Sequence, residues 1–153
     1  MLLDSEIYLP RIGYEFTFPT ENEKFTYYAL GNVENYCDMN LHAKMGLYES
    51  SAGNEYVNYV YPQEHGNHFK ARMLTMNNGI AFVTDDEFEF SVSSYTSEAL
   101  TEATHTDELK SDGKTHTRID YAVSGIGSNS CGPQLAQKYR IDEKEINFEF
   151  YIK

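Results

Sequence analysis

The 153-residue sequence has no tryptophan, only two cysteines and no long apolar run. Sugar-binding modules most often present flat aromatic platforms, and the indole ring is the largest one available. The absence of tryptophan therefore argues against an autonomous carbohydrate-binding surface, although 13 tyrosines leave smaller platforms open. No stretch approaches the length of a membrane span, and Asp4 and Glu6 interrupt the region where a secretory leader would be apolar.

Basic residues are scarce as well. The sequence has 12 lysines and arginines against 24 acidic residues, which gives a formal charge of −12 at pH 7. Such a charge repels both the phosphate backbone of nucleic acids and anionic lipid surfaces. We therefore expect neither a nucleic acid nor a membrane as a partner.

The two cysteines, Cys37 and Cys131, lie far apart and do not follow a zinc-binding spacing. A disulfide between them remains open, but free thiols in a reducing compartment are the preferred interpretation. We accordingly expect a cytoplasmic protein. Because the chain contains no linker-like run, we expect a single domain over residues 1–153.

Apolar and aromatic residues recur mostly with a period of two, which is typical of half-buried strands. The pattern predicts strands over residues 12–18, 25–30, 56–61, 69–76, 80–84, 88–93, 115–123, 137–141 and 146–152. Many short strands and little helix predict an all-β fold, an antiparallel β-sandwich with one short helix.

Turn and helix signals separate these strands. The sequence predicts turns at Asn77-Asn78-Gly79 and Asp85-Asp86, and a loop tip over residues 49–55. The short helix is predicted over residues 96–103, because Thr96 is a suitable N-cap and an apolar stripe follows it.

No pattern of ionisable residues identifies a catalytic or metal centre. Glu98 and Glu102 have the spacing of surface carboxylates on a helix. The segment containing His65 and His68 lacks the third ligand of a zinc site and predicts a structural turn. We expect no metal, no cofactor and no catalytic residue on this chain.

Three further polar features have structural interpretations. Glu64 and Arg72 flank the histidine turn and are predicted to form an internal ion pair with hydrogen bonds. His105 follows the short helix, where its ring would face the last carbonyl groups. Residues 125–127, Gly-Ile-Gly, lack the remainder of a nucleotide-binding motif and predict a tight turn.

Five segments together resemble one enzyme family. They are LPRIG (residues 9–13), GNVENYCD (31–38), YVYPQEHGNHFKAR (59–72), FEFSVSSYTSEALTEATHTDEL (88–109) and RIDYAVSGIGSNSCGP (118–133). In this order they are similar to the C-terminal small-chain domain of the β-galactosidases of glycoside hydrolase family 2. The chain departs from the family pattern at Asn32, where the family usually has proline, and at Met39, where it usually has arginine.

The resemblance implies a fold and a function. The fold would be part of a supersandwich similar to that of galactose mutarotase, with residues 1–153 as the C-terminal half of the small-chain domain. The activity would be retaining hydrolysis of terminal β-D-galactosides such as lactose. In the family both catalytic glutamates belong to a separate barrel, so the isolated chain would be inactive. Its partners would be that barrel, the remaining domains, the galactoside and further copies in a homo-oligomer.

The resemblance also implies one substrate-binding residue. In the family an aromatic residue in the loop that corresponds to residues 111–120 stacks on the sugar at the aglycone side. Counting back from Ile119-Asp120, this position is occupied by His116. An imidazole has less stacking area than an indole but can form hydrogen bonds, and an ordinary surface role for His116 remains open.

Two alternative functions remain open on the same sandwich fold. One is a free-standing galactose-binding module, and the other is an aldose mutarotase. A mutarotase would need a histidine and a carboxylate that converge in a cleft.

Overall fold

A computed structural model describes residues 8–126 and 133–153. These residues form seven β-strands: β1 (Arg11–Pro19), β2 (Lys24–Gly31), β3 (Lys44–Ser51), β4 (His68–Met76), β5 (Ala81–Ser93), β6 (Lys114–Val123) and β7 (Tyr151–Ile152). The α-helix, α1, spans Ser97–Glu102, and 3-10 turns cover Thr20–Asn22, Thr106–Glu108 and Gln137–Tyr139. In the described part of the chain, no helix is long and apolar enough to cross a membrane.

The seven strands form one antiparallel sheet in the order β1-β6-β5-β4-β2-β3, and β7 pairs with β5. The all-β class, the antiparallel pairing and the short helix are therefore confirmed, and the sheet is consistent with a sandwich architecture. β1 and β6 are paired although they lie about one hundred residues apart in the sequence, with Thr17 opposite His116.

Strand alternation directs one set of aromatic side chains into the core. On β2, Phe25, Tyr27 and Ala29 are buried while the residues between them are more exposed. Phe82, Phe90 and Ile119 continue the same apolar face across β5 and β6. Burial of large aromatic side chains is the main stabilising contribution that such a sheet can make.

The opposite face of β5 and β6 is polar but equally buried. Its side chains are Glu89 and Ser91 on β5, and His116, Arg118 and Asp120 on β6. Residues 64–67 and the first residue of α1 contact this face through side-chain hydrogen bonds and ion pairs. The central strands are thus buried on both faces, which places an extended polar network inside the molecule.

A row of apolar side chains crosses five strands on the sheet face opposite the aromatic core. In register across β7, β5, β4, β2 and β3, the row consists of Tyr151, Val83, Met73, Tyr28 and Leu47. Tyr28, Tyr151 and Leu47 are 39%, 47% and 65% exposed. We call these five residues the apolar row.

The helix start and one turn confirm their sequence predictions. The Oγ1 of Thr96 accepts a hydrogen bond from the N–H of Ala99 at 3.1 Å and so caps α1. The turn at residues 77–79 joins β4 to β5, with Gly79 at a φ of 91°. A positive φ is the backbone conformation that glycine adopts at little cost.

Other predicted elements are wrong. Residues 56–61 and 137–141 do not form strands, and residues 146–150 precede rather than belong to the short β7. Asp85 and Asp86 lie within the continuous strand β5 instead of a turn, although both are exposed. The expected loop tip over residues 49–55 is confirmed only at 52–55, which form a turn, whereas residues 49–51 end β3.

Candidate functional site

The pairing of β1 with β6 brings ionisable side chains from distant parts of the sequence together. Glu15 lies opposite Arg118, and Gly13 lies opposite Asp120. Side chains two residues apart on a strand share a face, so His116, Arg118 and Asp120 project together. We call the resulting group the charge cluster, which comprises Arg11, Glu15, Glu64, Asp112, His116, Arg118 and Asp120.

Arg118 makes the most contacts in the charge cluster. Its Nε and Nη2 lie 3.0 and 2.9 Å from Oε2 of Glu15. Nη2 also donates to Oγ of Ser97 at the start of α1, and Nη1 lies 3.8 Å from Oε1 of Glu64. A buried guanidinium needs such partners because it has lost its hydration. Arg118 therefore connects β6 to β1, to α1 and to the segment before β4.

Arg11 and Asp120 form the most buried ion pair of the charge cluster. Nη2 of Arg11 donates to Oδ2 of Asp120 at 2.5 Å, and Nη1 contacts Glu64. Burial raises the pKa of the Asp120 carboxyl to about 6, although the Arg11 charge acts in the opposite direction. Burial likewise lowers the pKa of Arg11. Each group therefore depends on the other to remain charged in the interior.

Glu89 extends the polar network next to the charge cluster, directly across from Asp120 on β5. Its Oε1 accepts from the N–H of Val123 at 3.0 Å, and its Oε2 accepts from Nδ2 of Asn67 at 2.6 Å. Burial raises the pKa of the Glu89 carboxyl to about 7, and these hydrogen bonds only partly oppose the shift. Two carboxyl groups with raised pKa values thus lie on adjacent strands inside the protein.

His116, the predicted substrate-binding residue, lies at one end of the charge cluster and is 5% exposed. Its Nδ1 lies 3.1 Å from Oε1 of Glu15, and its Nε2 lies 3.1 Å from Oδ1 of Asp112. The hydrogen bond from His116 lowers the pKa of the exposed Asp112 carboxyl. The contact of His116 with a sugar stays a prediction.

The histidine turn makes internal contacts. Nε2 of His68 lies 2.8 Å from Oε2 of Glu55, and both residues are buried. Nδ1 of His65 lies 2.7 Å from the carbonyl oxygen of Gln63. Gly66 has a φ of 75°, and its N–H donates to Oε2 of Glu34. These contacts are those of a structural turn, as predicted.

Two predicted polar contacts are wrong. Glu64 pairs with Arg11 and Arg118 rather than with Arg72, which instead lies 3.5 Å from Glu87. The difference arises because Arg72 is on an exposed part of β4, whereas Glu64 faces the charge cluster. His105 is exposed, and its Nδ1 contacts Oγ1 of Thr104 at 2.9 Å and not the helix carbonyl groups.

Within residues 8–126 and 133–153, no group of three or more potential ligands is arranged to hold a metal ion. The thiol of Cys37 donates to the carbonyl of Val123, and burial raises its pKa to about 11. Cys131, its predicted alternative disulfide partner, lies outside the described residues, as does the end of the Gly125 to Gly127 turn.

Several residues of the charge cluster were not identified from the sequence. Glu15 and Arg118 are 103 residues apart, and nothing in their local sequence indicates that they pair. The available signal was polar residues at every second position of a strand whose other positions are also buried. Such a strand must have partners for its polar face, because unpaired buried charges are very unfavourable.

Comparisons with known proteins agree on one family. The family described as the β-galactosidase small chain matches residues 2–152. The β-galactosidase of Actinobacillus pleuropneumoniae is 40% identical over 94% of this chain and 14% of its own length. The β-galactosidase of Staphylococcus xylosus is 35% identical over 95% of this chain and 15% of its own length. The β-galactosidase of Kluyveromyces lactis is 36% identical over 92% of this chain and 14% of its own length. The chain thus spans about one seventh of the length of these relatives, and it belongs to the β-galactosidase small chain family.

Proposed function

We propose that the chain is a non-catalytic part of a retaining β-galactosidase that hydrolyses terminal β-D-galactosides such as lactose. The observation that carries this proposal is the family match over residues 2–152, combined with its 14% share of the length of the relative from Actinobacillus pleuropneumoniae. The chain would serve as the C-terminal half of the small-chain domain. Its partners would be the catalytic barrel and the remaining domains of the enzyme.

The chemistry of the buried carboxyl groups supports a non-catalytic role. A retaining glycosidase needs two carboxyl groups about 5 Å apart that both reach the glycosidic bond. Glu89 and Asp120, whose pKa values are raised, are 3% and 2% exposed and are engaged by Asn67, Val123 and Arg11. A substrate has no access to them, so their role is to hold the strands together. The catalytic carboxylates would come from the barrel.

We assign residues 111–120 to the aglycone-side wall of the active site. Residues 111–113 form an exposed turn before β6, with Gly113 at a φ of 77°. His116 supports this turn from behind through its hydrogen bond to Asp112. His116 is 5% exposed, so a direct contact with the sugar would require the turn to move.

The apolar row supports the proposed structural and subunit-contact role. Three of its five side chains are more than a third exposed on an open sheet face. Contiguous apolar surface of this kind is typical of contact sites. We propose that the row packs against another part of the enzyme or against a second copy in a homo-oligomer.

The test uses both the chain and the complete enzyme. The 153-residue chain should not hydrolyse a chromogenic β-galactoside above a heat-denatured control, because the barrel carboxylates are absent. Turnover that copurifies with the chain alone would contradict the proposal. In the complete enzyme, His116→Ala should raise KM for lactose more than KM for an aryl galactoside, whereas equal constants would show that His116 does not serve the aglycone sugar.

A further inference from the structure

A small pocket lies beside the charge cluster, where three separate segments of the chain meet. Its volume is about 180 Å³. Tyr56 and His65 come from the segment between β3 and β4, and Tyr95 follows the end of β5. Ser93 also lines the pocket and is the cross-strand neighbour of His116. The pocket therefore adjoins the predicted site residue but has walls of its own.

The aromatic rings form one continuous wall. The ring centroids of Tyr56 and His65 are 5.1 Å apart at an interplanar angle of 82°. Those of Tyr56 and Tyr95 are 5.7 Å apart at 61°. Rings at these distances pack edge to face against one another. They do not surround an empty centre, which is the arrangement a cation–π cage requires.

His65 supplies a hydrogen-bond acceptor in this wall. Its Nδ1 lies 2.7 Å from the carbonyl oxygen of Gln63, which can only accept, so Nδ1 carries the proton. In the neutral ring Nε2 then has a free lone pair, and it has no hydrogen-bond partner among the described residues. His65 as a whole is 8% exposed, so most of its ring is buried in the wall.

The pocket lining selects a neutral ligand. No aspartate, glutamate, lysine or arginine lines it within the described chain. The net charge of −12 disfavours anions over the whole surface. The volume is below the roughly 300 to 1,000 Å³ of pockets for drug-sized molecules, which limits the occupant to one small ring. Aromatic faces, serine hydroxyls and an imidazole acceptor together suit the C–H faces and hydroxyl groups of a sugar.

We propose that the pocket walled by Tyr56, His65 and Tyr95 binds a single neutral hexopyranose. This site goes beyond the proposed function, because it is formed by this chain alone and needs no contribution from a barrel. A ligand of this size should bind with a dissociation constant on the order of 1 to 10 mM.

The test is an NMR titration of the 153-residue chain with D-galactose, and with D-galacturonate as the anionic counterpart. Galactose should shift the imidazole C–H signals of His65 and the ring signals of Tyr56 and Tyr95 in a saturable manner. Galacturonate should not cause saturable shifts of these signals. Shifts that never saturate, or that are equally large at the exposed Tyr61, would overturn the proposal. So would saturation by tetramethylammonium in place of galactose.

Two substitutions at one position provide a matched comparison. Ser94 lines the pocket and is half-buried. Ser94→Leu should fill the pocket and weaken galactose binding at least tenfold, whereas Ser94→Ala should stay within about threefold. If Ser94→Leu does not fold, Tyr95→Ala removes one aromatic ring of the wall and should also weaken galactose binding at least tenfold. Unchanged binding in this variant would contradict the assignment. Hydrolysis by the chain alone would contradict the proposed function without affecting this result.

Discussion

Gly13 on β1 leaves the space that the carboxylate of Asp120 on β6 occupies. A Cβ atom at position 13 would lie 2.2 Å from Oδ1 of Asp120 and 2.4 Å from the carbonyl oxygen of Ile119. The two residues are opposite each other in the register of the strands, which shifts between Ile12 and Gly13. The buried ion pair of Asp120 with Arg11 therefore depends on the absence of a side chain at position 13.

The first prediction follows from this contact. Gly13→Ala should destabilise the chain by about 2 to 3 kcal/mol, because strand β6 cannot move without disturbing the charge cluster. Gly53→Ala is the matched control, since a Cβ atom there has no neighbour within 4 Å. Its effect should stay within about 0.5 kcal/mol. Urea unfolding measures both, and equal midpoints would show that the strands absorb the methyl group.

The second prediction concerns pH. The pKa of Glu89 is raised by burial from 4.5 to about 7 in the folded chain. The folded state therefore binds more protons than the unfolded state between these values, and stability falls as pH rises through this window. In Glu89→Gln this fall should be smaller by up to about 3 kcal/mol, at 1.36 kcal/mol per pKa unit.

The control for this experiment is Glu102→Gln, which changes an exposed carboxylate on α1. Its unfolding free energy should follow the wild-type pH dependence. Urea unfolding at pH 5, 6, 7 and 8 makes the comparison. The same pH dependence in Glu89→Gln as in the wild type would show that Glu89 is not protonated by folding.

The third prediction concerns the buried pair of His68 and Glu55. Glu55→Ala should destabilise the chain by about 3 to 5 kcal/mol, because it leaves His68 and Ser50 without their buried partner. Glu87→Ala is the surface counterpart, since it removes contacts of 3.8 and 3.5 Å to Lys70 and Arg72. Its cost should be below about 1 kcal/mol. Thermal unfolding that ranks the two variants in the opposite order would refute the importance of the His68 pair.

The fourth prediction concerns the apolar row. The chain should sediment as a dimer or higher oligomer, and Leu47→Lys should shift it towards a 17.6 kDa monomer. Leu41→Lys is the control, because Leu41 is fully exposed but is not part of the row. Analytical ultracentrifugation at several concentrations gives the result. A monomeric wild-type chain, or equal responses to both lysines, would exclude the row as a contact between copies of the chain.

The sequence predicted the strands in which apolar residues alternate strongly. β2 and β4 were found because apolar residues alternate along both. β3 was not found, because its Met45 and Leu47 face solvent and its strand conformation comes from pairing with β2. Pairing of this kind is a tertiary effect that a local pattern does not contain. Tyr56 alternates like a strand residue but packs its ring against His65 and Tyr95.

The candidate site was predictable only in part for a similar reason. Resemblance to the family identified the segment around His116, and the structure places that residue in the charge cluster. Its contact with Glu15 could not be predicted, because Glu15 lies 101 residues away and the register of two distant strands decides the contact. The pairing of Glu64 with Arg11 rather than Arg72 depends on the same register.

The separation of β1 from β6 has a consequence for biosynthesis. The two paired strands are separated by about one hundred residues in the sequence, whereas β4 and β5 are joined by a short turn. Because protein synthesis adds roughly 5 to 20 residues per second, β6 is synthesised about 5 to 20 s after β1. During that interval Phe16 and Phe18 have no neighbouring strand, and an unpaired edge of this kind attracts other chains. The hairpins of β2 with β3 and of β4 with β5 can form first, so β1 joins a sheet that is already largely assembled.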